Sequence, residues 1–219
     1  MPRRVDRSTG AKPPGTRERL LDAAERLFAA RGYRQTSIRD ITAEAGCNLA
    51  AVNYHFGGKL KLYREMFHRR LRELRDRRVE SIRRAMAHAE ERGGLEAVLR
   101  EFATAFLEPH LDRSRGQHLL VMFTREMLDP HLPPSMFFKE MLNPLQRTLM
   151  EAMVASGVVL APRDARRCVQ SVIAQLSHVL HLRLLSGAAG QRLRKDFALR
   201  ESVEHIARFS AGGIREQAR

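Results

Sequence analysis

Asn48 and Asn53 stand out chemically because each carries a hydrogen-bond donor and an acceptor on one short side chain. They lie in GCNLAAVNYHFGGK, with Arg39 upstream and Tyr54, His55 and Lys59 close behind. A paired donor and acceptor matches the major-groove edge of adenine, and a guanidinium fork matches the N7/O6 edge of guanine. Tyr54, His55 and Lys59 are side chains suited to phosphate oxygens, as are Thr36 and Ser37 at the start of a helix. The residues between the asparagines, Leu49, Ala50 and Ala51, include two that are small enough for a backbone to come close to a nucleic acid.

Other chemistries find little support. There is no Gly-rich phosphate loop, no GxSxG, no cluster of carboxylates and no base adjacent to either cysteine, so an enzyme is not expected. His178 and His181 are three apart on one helix, and His110, His118 and His131 are scattered. None has a cysteine or carboxylate at ligand spacing, so no metal and no cofactor is expected. Cys47 and Cys168 form no CxxC pattern and read as reduced thiols.

Glycine, proline and apolar spacing define the elements that must hold these residues. Leu20, Ala23, Ala24, Leu27 and Phe28 recur at helical spacing behind Thr16, a candidate cap, and Gly32 should end that helix. A short second helix fits residues 37–45, with Thr36 as cap and Gly46 as terminator. A third fits 49–56, closed by Gly57-Gly58, and a fourth starts near Lys59 and runs toward Glu91. Further helices fit 95–108, 114–128, 134–155, 163–186 and 197–210, with Asn143-Pro144 expected to kink or split the 134–155 segment. No segment alternates with the period of a strand, so the fold is expected to be all-α. The expected organisation is a basic arm over 1–15, a three-helix domain over 16–62 and a larger helical domain over 63–219.

Charge is distributed unevenly. Of the 219 residues, 1–78 hold 19 Lys/Arg against 9 Asp/Glu, whereas 79–219 hold 20 against 16. The excess therefore sits where phosphates would be neutralised, although a solvated arginine-rich surface gives the same count. No apolar run approaches the ~18 residues of a membrane span, and no apolar stretch follows the basic N-terminus. A cytoplasmic location is expected.

Three short helices with a tight turn, Gly46-Cys47-Asn48, between the second and third make a helix-turn-helix, whose last helix enters the major groove. The string TRERLLDAAERLFAARGYRQTSIRDITAEAGCNLAAVNYHFGGKLKLYREMF resembles the DNA-binding domain of TetR/AcrR-type regulators over about 50 residues. NLAAVNYHFG is most similar to the subgroup with a CecR-type C-terminal domain. The resemblance implies base reading by Arg39. It departs from the family pattern at Asn53, where an aromatic residue is commoner, and at Lys59-Leu60, where a Lys-Glu pair is usual. Phe56 reads as core and Tyr54 as a phosphate contact; His55 fits either role, and Asn48 can cap the reading helix as well as contact DNA.

The same resemblance implies a homodimer on a palindromic operator, and repression relieved by a small hydrophobic or amphipathic effector. The 163–186 and 197–210 helices would pair with their symmetry mates, with Leu176, Val179, Leu180, Ile206 and Phe209 giving apolar area. An effector pocket is expected from Phe106, His118, Met122, Phe123, Arg125, Met127, Gln175 and His178. Arg125 and Glu126 read either as a structural ion pair or as an effector anchor. Two other classes remain open: an architectural DNA binder without sequence preference, and a helical ligand-binding or oligomerisation module that does not bind DNA.

Overall fold

A computed structural model of the chain describes residues 15–88, 94–110, 115–182, 184 and 198–218. These residues form helices and connecting turns, with no strand among them, so the architecture is all-α as the periodicity requires. The chain divides into two compact units between Met66 and Phe67.

In the first unit, α1 spans Thr16–Gln35, α2 Ile38–Ala45 and α3 Ala50–Phe56, and α4 begins at Lys59. Thr16 lies inside α1 and does not cap it; Gly15 takes the cap position without a side-chain bond. Gly32 adopts φ 82°, a conformation that breaks the helix but leaves one further turn to Gln35. The stripe predicted for α1 is the core stripe: Leu20, Ala23, Ala24, Leu27 and Phe28 are buried, as are Ile41 from α2, Val52 and Phe56 from α3, and Leu62 and Tyr63 from α4. Each fully buried Leu or Phe contributes ~1.5–3 kcal/mol. Phe28 meets Tyr63 edge-on at 4.8 Å and stacks on Tyr33 at 5.8 Å, which ties the end of α1 to the start of α4.

In the second unit, α4 runs on to Ala87, followed by α5 (Leu95–Leu107), a 3-10 turn (Glu108–His110), α6 (Arg115–Leu128), α7 (Pro134–Phe137), α8 (Asn143–Ala155), α9 (Pro162–Leu182) and α10 (Leu199–Gln217). The predicted split at Pro144 takes the form of a π-helical turn over Phe138–Leu142 between α7 and α8. Pro144 has no N–H to give the Glu140 carbonyl, and Arg75 Nη1 donates to that carbonyl at 3.5 Å instead. The central element is α5, which packs along α10 and also touches α8 and α9. Leu95, Val98, Leu99 and Phe102 of α5 are buried with Val203, Ile206 and Ala207 of α10. At the rim of that contact, Arg100 Nε lies 2.9 Å from both Glu204 oxygens, and Nη2 lies 2.8 Å from Glu96.

Candidate nucleic-acid interface

The turn between α2 and α3 is built by three adjacent residues. Gly46 takes the left-handed conformation (φ 62°, ψ 42°) and its N–H reaches the carbonyls of Thr42 and Ala43. The Cys47 N–H donates to the Thr42 carbonyl at 2.9 Å. The Asn48 Oδ1 accepts from the Ala51 N–H at 2.9 Å, satisfying one of the free donors at the start of α3. Capping is therefore a real role of Asn48, and its side chain is still exposed. Cys47 is half-buried, with its Sγ donating to the Ala45 carbonyl at 3.4 Å, a packing role.

The seven-residue α3 shows two faces. Val52 and Phe56 are buried, and the Arg17 guanidinium lies 5.3 Å from the Phe56 ring centroid while pairing with Glu65 at 2.8 Å. Leu49, Ala50, Asn53 and Tyr54 are exposed, with Tyr54 at 85%, whereas Ala51 and His55 are half-buried. Arg39 on α2 is exposed as well. Tyr54 and His55 sit edge to face at 4.9 Å. Donor–acceptor groups and a guanidinium thus share one unit whose core is fully occupied by other residues.

Two predicted roles need correction. Thr36 does not cap α2 and does not face outward: it is 1% exposed, and its hydroxyl donates to the Gly32 carbonyl at 2.8 Å and the Leu27 carbonyl at 3.3 Å. Its own N–H turns to the Tyr33 carbonyl, and the hydroxyl serves the Gly32 carbonyl in its place. The cap is Ser37, in a reciprocal box with Asp40: the Asp40 N–H donates to Ser37 Oγ at 3.1 Å, and the Ser37 N–H to Asp40 Oδ2 at 2.9 Å. These bonds hold the Asp40 carboxyl below its ordinary pKa, with Arg31 at 4.0 Å adding to the effect. Lys59 opens α4 half-buried, its ammonium 4.2 Å from the Tyr33 ring centroid; partial burial lowers its pKa.

The sequence pattern of the tetR family of bacterial regulatory proteins matches residues 20–66. This segment is a tetR-type helix-turn-helix domain. The match starts at the first buried leucine of α1 and ends where the first unit ends, at Met66. Over 56 residues the chain is 38% identical to the HTH-type transcriptional repressor AcnR of Corynebacterium efficiens, a match that covers 26% of this chain and 30% of AcnR. The chain spans less than half the length of the curated relatives it matches, which are named as transcription regulators. The likeness to solved structures extends further. A putative transcriptional regulator from Pseudomonas aeruginosa PAO1 superposes with TM-score 0.68 at 21% identity, covering 97% of this chain and 96% of that one. FadR from Bacillus subtilis, solved with stearoyl-CoA, gives 0.66 at 16% identity, covering 90% and 98%. At these identities the likeness establishes the fold: a tetR-type helix-turn-helix domain joined to a larger helical domain.

In that larger domain the eight predicted pocket residues differ widely in exposure. Phe106 and Met122 are buried and Phe123 is half-buried, but His118, Arg125 and His178 are exposed and Met127 is 77% exposed. Gln175 is used inside the unit: its Nε2 donates to Ser210 Oγ at 3.2 Å, joining α9 to α10. Glu126 turns toward the loop after α6, its Oε1 accepting from the N–H groups of His131 and Leu132 at 2.7 and 2.6 Å. A groove of about 690 Å³ does exist, lined by Asn143, Gln146, Arg147, Met150, Glu151, Val154, Ala155 and Arg166, none of them predicted.

The predicted dimer residues need a similar correction. Leu176, Val179, Leu180 and Ile206 are at most 5% exposed within a single chain, because the apolar faces of α9 and α10 pack on each other and on α5. Only Phe209, at 65%, faces outward. Reasoning from sequence also missed Arg78, 4% exposed on α4. The signal was present: Phe67, Leu71, Leu74, Arg78 and Ile82 follow one helical stripe, and the arginine occupies a core position in it.

Proposed function

We propose that the chain is a transcription regulator of the repressor type. It binds a two-fold symmetric DNA site as a homodimer and is released from it by a small amphipathic effector. The observation that carries this reading is the exposure of Arg39, Asn48, Asn53 and Tyr54 on a tetR-family helix-turn-helix whose packing does not consume them. Ser37, Leu49, Ala50, Ala51, His55 and Lys59 complete the surface that meets DNA, with Lys59 as a phosphate ligand and Ala50 and Ala51 allowing close approach. The basic first third of the chain supplies the electrostatic attraction. These features also favour a cytoplasmic place of action, and no described helix is long and apolar enough to cross a membrane.

Dimerisation is supported by α10. Phe209, Gly212 and Gly213 share one face at i, i+3, i+4 spacing, and all three are exposed. A Cβ added to either glycine meets nothing within 4 Å, so nothing in the same chain requires glycine there. Two glycines inside a helix cost ~1 kcal/mol each, a cost offset if a second copy approaches closely. An effector is supported by the size of the helical domain and, by analogy, by the stearoyl-CoA held in the FadR structure. The CecR-like subgroup rests on NLAAVNYHFG alone.

Selection of bound sequences from a random DNA pool by the purified protein tests the reading. Enrichment of a palindrome with half-sites about one helical turn (~34–36 Å) apart is expected. Salt-sensitive binding without enrichment would make the chain an architectural binder, and no binding at all would leave a helical ligand-binding module.

A further inference from the structure

Arg78 is, among the described residues of the second unit, a buried cation that the packing does not explain. Its guanidinium carbon lies 3.8 Å from the centroid of the Phe106 ring, and Phe106 in turn meets Phe102 at 5.8 Å. Nη2 donates to the Phe106 carbonyl at 3.3 Å, and Nη1 reaches the Met141 sulfur, a weak acceptor, at 3.4 Å. Nε is shielded from solvent and has no acceptor. Three of the five N–H donors are thus unused, and no carboxylate among the described residues pairs with the group. Burial pushes its pKa down to about 9, so the side chain remains charged at neutral pH. An uncompensated buried charge of this kind is among the costliest things a core can hold, and a methionine would fill the same space without it.

The wall around Arg78 is able to yield. Met141 belongs to the π-helical turn Phe138–Leu142, where Pro144 has already disturbed the regular bonding, and turns of this kind recur at functional sites. Methionine is unbranched and repacks easily. Displacing its sulfur would free Nη1 for an incoming group, beside the Phe106 ring on which the guanidinium lies.

We propose that Arg78 anchors the effector, and that the effector is an amphipathic carboxylic acid: its carboxylate pairs with the guanidinium while its apolar part replaces Met141 against Phe106. This rests on the regulator reading given above. The pairing is a charge-assisted contact through donors of the fork that the protein leaves unused, and it neutralises a charge that no carboxylate among the described residues matches. Arg78 lies on α4, the helix that begins at Lys59 in the DNA-binding unit, so a ligand seated here acts on an element common to both units.

The test uses the full-length protein and four matched probe pairs: octanoate and octanol, decanoate and decanol, 4-phenylbutyrate and 4-phenylbutanol, salicylate and salicyl alcohol. Thermal midpoints and calorimetric binding are read for the wild type and for Arg78→Met. At least one acid is expected to raise the wild-type midpoint while its alcohol does not, and Arg78→Met should bind that acid at least ~10-fold more weakly. Without ligand, the variant should melt at a higher temperature than the wild type, by about 2 °C or more. If Arg78→Met does not fold, Arg78→Gln removes the charge while keeping a donor for the Phe106 carbonyl. No response to any acid, equal binding by wild type and variant, or a lower midpoint for both variants would overturn the proposal. Binding of wild type to the selected palindrome, read in the same samples, separates the two levels. Palindrome binding without acid binding sinks only the effector assignment, whereas absence of sequence-selective binding sinks the regulator reading itself.

Discussion

The Lys59 ammonium lies 4.2 Å from the centroid of the Tyr33 ring, so the last turn of α1 holds the first residue of α4 in place. The contact is partly shielded, which lowers the lysine pKa. A lysine fixed at a helix start, beside free N–H groups, is prepared for a phosphate. Lys59→Ala is expected to weaken DNA binding equally for operator and random sequence, and to reduce the slope of log affinity against log salt by about 1. Tyr33→Leu keeps the charge but loses the ring, and should cost a smaller ~0.5–1 kcal/mol. Fluorescence anisotropy titrations over a range of salt check both. A loss confined to the operator would make Lys59 a base reader instead.

Thr36 behaves differently because its hydroxyl points inward. Thr36→Val keeps the shape but leaves the carbonyls of Gly32 and Leu27 without that donor. Each buried, unsatisfied group costs ~1–3 kcal/mol, so a lower urea midpoint is expected. Affinity for DNA, measured where the variant is fully folded, should equal that of the wild type. A weaker, salt-dependent affinity with unchanged stability would restore the phosphate role that sequence suggests.

These two residues show where the sequence is legible and where it is not. Helices were visible wherever an apolar stripe ended in a glycine: Leu20 to Phe28 before Gly32, Ile41 before Gly46, and Val52 and Phe56 before Gly57 are all core. Exposed polar groups on α3 were equally visible, since a short helix with two buried positions must show the remainder. Thr36 was misassigned because cap residues and buried corner hydroxyls share the same residue types, and only the carbonyls of Gly32 and Leu27 within reach decide between them. The residues expected around a pocket differ in exposure for a related reason. Met127 and Phe123 are both apolar on α6, and periodicity does not tell a face that meets α4 from one that meets solvent. Leu176 and Ile206 were assigned to a partner, although α5 and the apolar faces of α9 and α10 cover such positions inside one chain. Arg78 was hidden by its neighbours: in a helix with so many arginines, one at a core position is conspicuous only when the stripe is counted.

Asn48 combines two roles that substitutions can separate. Asn48→Asp preserves an oxygen for the Ala51 N–H but removes the amide donor and adds a negative charge facing DNA. Stability should be within ~0.5 kcal/mol of wild type while operator binding falls by 1–3 kcal/mol or more, as expected for a lost base contact. Asn48→Ala loses the cap too and should be destabilised by ~1 kcal/mol. Thermal melts and operator titrations on the two variants provide the comparison. Full DNA affinity in Asn48→Asp would reduce the residue to a cap.

The Ser37–Asp40 box makes the first unit sensitive to acid in a definite direction. Because hydrogen bonds from Ser37 lower the folded pKa of Asp40, the carboxylate stabilises the folded state above its unfolded pKa, near pH ~4. That contribution declines as pH falls through the lowered folded value. Ser37→Ala removes the side-chain bond and should raise the Asp40 pKa toward its ordinary value, flattening this part of the acid profile. Carboxyl chemical shifts followed by NMR between neutral and acidic pH would show it. An unchanged Asp40 titration in Ser37→Ala would assign the low pKa to the backbone N–H of residue 37, which the variant keeps, and to Arg31.

Phe209 offers a test of assembly that does not depend on DNA. It is 65% exposed, stacks on His205 at a centroid distance of 5.9 Å, and shares its face with Gly212 and Gly213. In an isolated chain, replacing an exposed side chain of this kind shifts stability by only ~0.5 kcal/mol. At a symmetric interface the same residue meets the partner's copy of the same patch, so Phe209→Glu sets two carboxylates into one apolar contact. Sedimentation equilibrium should therefore show a dimer for the wild type and a monomer for Phe209→Glu, with helical content retained by circular dichroism. Gly212→Ala should act in two opposing ways, raising helix stability by ~1 kcal/mol while weakening the dimer by keeping the two helices apart. If Phe209→Glu remains dimeric, the symmetric contact lies on another face, and the exposed glycines of α10 require a different explanation.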